Sequence, residues 1–257
     1  MNISNAGKYL RKLESSLKEN IYLFGDLVKS IETGLSEVIR WKKYTIEGAE
    51  IENDLQHSYS AALLAVIVIE AFEAEGWHLG KNAYRILACT LVHDIGEINS
   101  GDTHYINKTA KKDLHEIRSF EGIIDNLPNK IKNNIFDIFL TQFRSDNSRL
   151  LQSSGLDDPS NKIISNHSDN GQMDAKIFEA IERYGYVLYA FYNYKRKEDY
   201  NSEKLLIQVL RNQHRDLCRI ANEFGPFKKY FYPQNIQECI TNLLGISSNI
   251  PEEEKVE

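Results

Sequence analysis

An imidazole and a carboxylate stand side by side at the end of an apolar stretch, in Leu91, Val92, His93, Asp94, Ile95, Gly96 and Glu97. Burying such groups is costly unless they are paired or bound to a metal. Neighbouring helical positions diverge by about 100°, yet both side chains can reach one ion lying in front of the helix end. Glu97 follows His93 by four residues, shares its face, and is within reach of a water at that ion. A second imidazole, His57, sits in Leu55, Gln56, His57, Ser58 and Tyr59, just ahead of the apolar run Ala61 to Ile69. Two imidazoles and a carboxylate suit a first-row divalent metal with positions left for water or phosphate. They also suit a hydrogen-bonded cluster without an ion, and residue type and spacing do not choose between the two.

The elements that must position these residues read as helices. Leu10, Leu13, Leu17, Ile21, Phe24, Val28, Ile31 and Leu35 recur every three or four residues over 8–40, with Gly25 and Gly34 as possible breaks. Residues 42–54 are polar and read as a loop. A helix is expected from Asp54 as N-cap to Gly76; its middle is apolar all round, which predicts burial at the centre of the fold. Another is expected over 82–95, ending near Gly96. Two antiparallel helices of about 20 residues place the start of one beside the end of the next, so His57 falls next to His93 and Asp94. Residues 99–109 read as a loop with Gly101. Further helices are expected over 110–126, 128–143 (Pro128 in the first turn), 174–196 and 202–224. Residues 145–172, rich in Ser, Asn, Asp and Gly, read as a long loop or insertion, and 249–257 as a frayed tail. Strand signals are weak throughout. The reading is one all-α domain over 1–248.

The chain has 257 residues, 42% hydrophobic and 26% charged, an ordinary globular balance. Net charge is -6, which argues against binding long nucleic acid; a small anionic substrate is still compatible if a metal or a few local cations offset the field. Cys89, Cys218 and Cys239 show no paired spacing and so no disulfide framework or CxxC zinc site. The polar N-terminus shows no signal peptide, and the longest apolar run is too short to span a bilayer. The expected compartment is the cytoplasm.

The order of an isolated His, a His-Asp pair and a later carboxylate resembles the HD-domain phosphohydrolases, closest to the branch of bacterial 5′-deoxynucleotidases. Arg40 and Trp41 precede His57 at a spacing similar to that branch's Arg-Trp pair. His93, Asp94 and Glu97 match its His-Asp-x-x-Glu core, and Gly101 and Asp102 match the Gly-Asp that follows. Ile123 to Pro128 resembles its Leu-Pro helix start. The resemblance covers about 36–195 and implies an HD-domain helical bundle with extra N- and C-terminal helices. It implies a metal-dependent hydrolase of nucleotide phosphate esters acting on a (deoxy)nucleoside mono- or triphosphate, with a divalent ion (Mn, Co, Fe or Mg) and a homodimeric state.

Carried over residue by residue, the resemblance makes His57, His93 and Asp94 metal ligands. The family's last ligand is an Asp on a late helix, and here Glu182 stands in its place. Glu182 is either a ligand with one extra methylene or a surface residue, with Asp174 and Glu179 as fallbacks. Glu97 and Asp102 are the catalytic candidates; Asp102 also reads as a turn residue. Arg40 and Trp41 are the substrate-binding candidates: Arg40 as a phosphate clamp or a partner in an ion pair, Trp41 as a sugar-pocket wall or a core residue. His104, His115 and His167 read as surface residues, and Tyr184, Tyr186, Tyr189, Tyr192 and Tyr194 as ordinary packing. The departure at Glu182 and the extra segments keep a second class open, a nucleotide sensor or interaction module on the same scaffold without turnover.

Overall fold

The computed structural model describes residues 7–13, 15, 24–40, 52–102, 108–145 and 170–246. Trp41, His104, His167, most of the 145–172 segment and the 249–257 tail lie outside the described residues. Residues 7–13 are helical. After them come α1 (Asp26–Glu37), α2 (Asp54–Ala74), α3 (Lys81–Val92), the short α4 (Glu97–Ser100), α5 (Ala110–Ile123) and α6 (Asn129–Phe139). A 3-10 turn over Leu140–Phe143 extends α6. The long α7 (Asn170–Lys197), α8 (Tyr200–Glu223), α9 (Gly225–Tyr230) and α10 (Gln234–Ile246) complete the order. The fold is all-α: among the described residues the β content is an isolated antiparallel bridge between Ile39 and Asn53.

Three positions depart from the sequence reading. The N-cap of α2 is Asn53 rather than Asp54. The Asn53 side chain accepts from the Gln56 N–H, and Gln56 returns a bond to the Asn53 N–H, a capping box. Asp54 is thereby released from capping and is fully buried. Pro128 is the N-cap residue of α6, one position ahead of the first turn. The middle of α2 is not buried on every side: Ala61, Ala65, Val68 and Phe72 face the core, while Leu63, Val66 and Ile67 are exposed. The helix is 21 residues long with a mean hydropathy of 1.4 in its central window, enough by length and composition alone to cross a membrane. Its inward stripe, at i, i+4, i+7 and i+11, is that of a helix packed on protein.

The larger apolar cluster joins Val68, Ile69 and Phe72 of α2, Ile86 of α3, Ile177 and Ile181 of α7, and Leu217 and Ile220 of α8, closed by Phe224 and Phe227. A second joins Leu35 of α1, Ile95, Ile117 and Phe120 of α5, and Phe139 and Phe143. Phe120 and Phe139 stack at 3.9 Å between ring centroids. The first cluster packs the second half of α2 against α7; the second holds the end of α3 against α5. The residues singled out for chemistry lie where these two packings meet. The C-terminal helices α9 and α10, beyond the last helix the periodicity located, cap the first cluster through Phe227 and Ile240.

Candidate metal centre

His57 occupies the first turn of α2, its N–H bonded to the Asn53 carbonyl at 2.9 Å. His93 caps the C-terminus of α3, its N–H bonded to the Cys89 carbonyl at 2.9 Å. Glu182 comes from the middle of α7. All three side chains are buried, as is Asp94. His57, His93 and Asp94 each offer a ligand atom within 4.8 Å of the others. Glu182 completes the ring: its Oε2 is 3.0 Å from His57 Nε2 and 3.4 Å from His93 Nε2. His93 Nδ1 donates to the Thr90 carbonyl at 3.0 Å, which turns Nε2 toward the carboxylates. That Nε2 and Glu182 Oε1 have no hydrogen-bond partner although both are buried. Two imidazoles and the Asp94 carboxylate within reach of one ion, with Glu182 against both imidazoles and two buried atoms left unsatisfied, fit a divalent cation. Asp174 and Glu179 do not join: Asp174 faces Arg85 at 3.4 Å, and Glu179 accepts from Arg183 at 2.7 Å.

Burial alone would push the Asp94 carboxyl up; the facing His93 and Arg40 charges outweigh it and hold it well below the usual range. Burial likewise opposes the ionisation of Glu182, and the two imidazoles reverse its effect. On the imidazole side, burial and Arg40 press His57 down, but Glu182 and Glu52 raise it to about 9.

Arg40 is placed by a short two-stranded contact. Its N–H bonds to the Glu52 carbonyl at 2.9 Å, and the Asp54 N–H bonds to the Val38 carbonyl at 3.1 Å. The guanidinium then donates to Asp94 at 2.9 Å and to Asp54 at 3.3 Å. Of the two readings for Arg40, the structure displays the ion pair, and the pair is with a residue of the centre. Burial and Asp94 raise Asp54 to about 7. Tyr186 stacks on His57 at 5.9 Å with the rings 6° from parallel, and the Arg40 guanidinium donates to its hydroxyl at 3.4 Å. Reading Tyr186 as ordinary packing missed this contact. The available signal was its position four residues after Glu182, on the same helical face.

Glu97 is 1% exposed. Lys108 donates to its Oε1 at 2.7 Å and lies 3.2 Å from Glu116, while Glu97 Oε2 has no partner. Burial pushes the Glu97 carboxyl well up, Lys108 opposes, and the charges of Asp94, Glu116 and Asp102 push it further. Asp102 is half-buried just past Gly101, whose φ of +74° ends α4 in a conformation that favours glycine. Lys108 and Glu116 stood outside every motif, and nothing in their spacing marked them.

The family model described as HD domain matches residues 34–224, and the chain belongs to the HD-domain family. None of the curated proteins matches it. Among solved structures it is similar to a protein described as a predicted metal-dependent phosphohydrolase from Magnetospirillum magnetotacticum MS-1, with a TM-score of 0.55 and 16% identity over 91% of this chain and 96% of that one. It is also similar to a conserved hypothetical protein from Pyrococcus furiosus, with a TM-score of 0.51 and 14% identity over 84% of this chain and 98% of that one. At such identity the likeness is one of fold. The cofactor that the family and this donor set call for is a divalent metal ion.

Proposed function

We propose that the protein is a metal-dependent phosphohydrolase of nucleotide phosphate esters, with His57, His93, Asp94 and Glu182 as the metal ligands. The observation that carries the ligand set is the approach of Glu182 Oε2 to both His57 Nε2 and His93 Nε2 beside Asp94, with His93 Nε2 and Glu182 Oε1 buried and left without a hydrogen-bond partner. When bound, a divalent ion supplies Lewis-acid polarisation of the phosphoryl oxygen and lowers the pKa of water.

The chain's own residues do the rest. Arg40 holds Asp94 ionised and oriented. Glu97, with one oxygen tied to Lys108 and the other unengaged, takes the proton of the attacking water or returns it to the leaving oxygen. Asp102, at the rim beside Gly101, orients that water. Trp41 walls the sugar. The split between mono- and triphosphate substrates follows from how many phosphates the mouth of the site accepts.

The rival reading as a nucleotide sensor drew on Glu at position 182 in place of Asp. With Glu182 bridging both imidazoles, the longer side chain still reaches the centre. A panel of nucleoside mono- and triphosphates assayed for phosphate release with Mn²⁺, Co²⁺, Fe²⁺ and Mg²⁺, beside a metal-stripped control, tests the proposal. Nucleotide binding without release under every metal would favour the sensor. We also propose a homodimer, on the strength of Leu10 and Leu13, apolar side chains exposed on the helical stretch 7–13.

A further inference from the structure

Gly185 stands near the middle of the 28-residue α7, where glycine is the least favourable residue after proline. The usual reasons for a glycine inside a helix do not apply to it. Its φ is not positive, so the backbone accepts an ordinary side chain. A Cβ at this position meets no atom of the described residues within 4 Å, so no neighbour demands a close approach. Gly34, inside α1, shows the contrast: a Cβ there would lie 2.7 Å from Ile98 Cγ2. What Gly185 borders is a cleft of about 710 Å³ between α2 and α7, and it lines that cleft together with His57 and Glu182. Glu182 and Gly185 are three residues apart, about 4.5 Å along the helix axis and on one face. On α2, Ser60 and Ala61 line the turn that follows His57. Small groups therefore stand on both walls one turn beyond the two ligands, and Leu188 and Tyr189 line the turn after that on α7. A phosphate held at the centre sends its ester substituent into this space, and a side chain at position 185 would stand in its way.

We propose that Gly185 is a specificity-determining residue: its missing side chain makes room for the organic half of a phosphate monoester whose phosphate lies at the metal centre. The site thereby takes esters of bulky alcohols, such as a nucleoside. The inference rests on the phosphohydrolase reading above. The room is gained at the expense of helix stability, which alanine at the same position would restore.

The test titrates the Mn²⁺-loaded full chain with thymidine 5′-monophosphate and, separately, with inorganic phosphate by calorimetry. It compares the parent protein with Gly185→Ala and Gly185→Leu, and measures phosphate release and thermal melting on the same three proteins. Gly185→Ala should raise the melting temperature by about 2–4 °C, the effect of removing an interior helical glycine from a chain of this size, and should lower nucleotide affinity slightly. Gly185→Leu should weaken thymidine 5′-monophosphate at least about tenfold, since one surplus methylene in a pocket already discriminates on that scale. Inorganic phosphate should bind all three proteins alike. A purely structural glycine would behave otherwise, with melting temperature and both affinities falling together. Unchanged nucleotide affinity in Gly185→Leu, an equal fall for both ligands, or a melting temperature that does not rise in Gly185→Ala overturns the inference. So does a parent protein that fails to bind thymidine 5′-monophosphate. The two readings fail separately. Nucleotide binding that is lost in Gly185→Leu, without phosphate release by the parent, removes the hydrolase and leaves the role of Gly185. Phosphate release by the parent, with Gly185→Leu equally active on thymidine 5′-monophosphate, removes the role of Gly185 and leaves the hydrolase.

Discussion

Arg40 and Asp94 come from segments 54 residues apart, and the arginine donates a 2.9 Å hydrogen bond to the aspartate's Oδ2. The same guanidinium nitrogen also reaches Asp54, so one cation steadies two buried carboxylates. Arg40→Met should weaken metal affinity at least about tenfold, the usual effect of losing the partner of a ligand. It should also destabilise the fold by about 3–5 kcal/mol, the cost of leaving a buried ion pair half made. Arg40→Lys should restore only part of both, because a lone ammonium on a flexible stem lacks the second nitrogen that the planar guanidinium sets on the Tyr186 hydroxyl. Metal titration and thermal melting check these values. A variant with full metal content but a raised KM would assign Arg40 to the substrate phosphate instead.

Glu97 and Asp94 are three residues apart and are expected to fail differently. Glu97→Ala should keep its metal and lose about 10²–10⁴-fold in turnover, the range for a general acid or base. Asp94→Ala should lose both metal and turnover. Glu182→Gln should lower metal affinity while leaving the fold intact, since the amide keeps the volume and one acceptor. Elemental analysis beside a phosphate-release assay separates the three. A Glu97→Ala protein with normal metal and normal rate would move the proton-transfer role to Asp102.

Asp174 gives a pH-dependent stability term away from the metal. Burial outweighs the nearby Arg85 and Arg144 and raises its carboxyl from 3.8 to about 6. A carboxyl raised in the folded state contributes stability while protonated and loses it as pH climbs from below 3.8 through 6. Asp174→Asn should therefore melt higher than the parent protein, with a gap that widens from pH 5 to pH 8. A gap that is constant or narrows over that range would place the source of the strain elsewhere.

The oligomeric state is open to a direct measurement. Light scattering at micromolar concentration should return a dimer mass, and Leu10→Glu with Leu13→Glu should shift it toward the 29.7 kDa monomer. A monomer at all concentrations would leave those leucines as solvent-facing residues of the helical stretch 7–13.

His57, His93 and Asp94 were legible because helix ends are written locally. A polar cap, an apolar run and a glycine place a helix start beside the end of the next, and the histidines sit at those ends. Glu182 was legible by pattern, and its longer side chain still meets both imidazoles. Less was visible where the outcome depends on partners distant in sequence. Whether the Arg40 guanidinium faces a phosphate or a carboxylate depends on the contact of residues 38–40 with 52–54, which no periodicity encodes. Asn53 and Asp54 are both competent caps, and the choice was made by the buried arginine that claims Asp54. The exposed face of α2 at Leu63, Val66 and Ile67 escaped because a helix apolar on all sides gives no signal of which side meets solvent. Lys108 and Glu116 follow from the packing of α5 on the His-Asp turn, a tertiary fact.

That packing leaves no clearance at Gly96, where a Cβ would lie 2.6 Å from the backbone oxygen of Glu116. With backbone touching backbone, the segment carrying Asp94 and Glu97 and the helix carrying Glu116 cannot slide or separate independently. Mechanically they form one block, with Lys108 as a rivet between its two carboxylates. A side chain at position 96 would therefore wedge the helix carrying Glu116 away from the segment carrying Asp94 and Glu97, and would draw Lys108 off one of its two carboxylates.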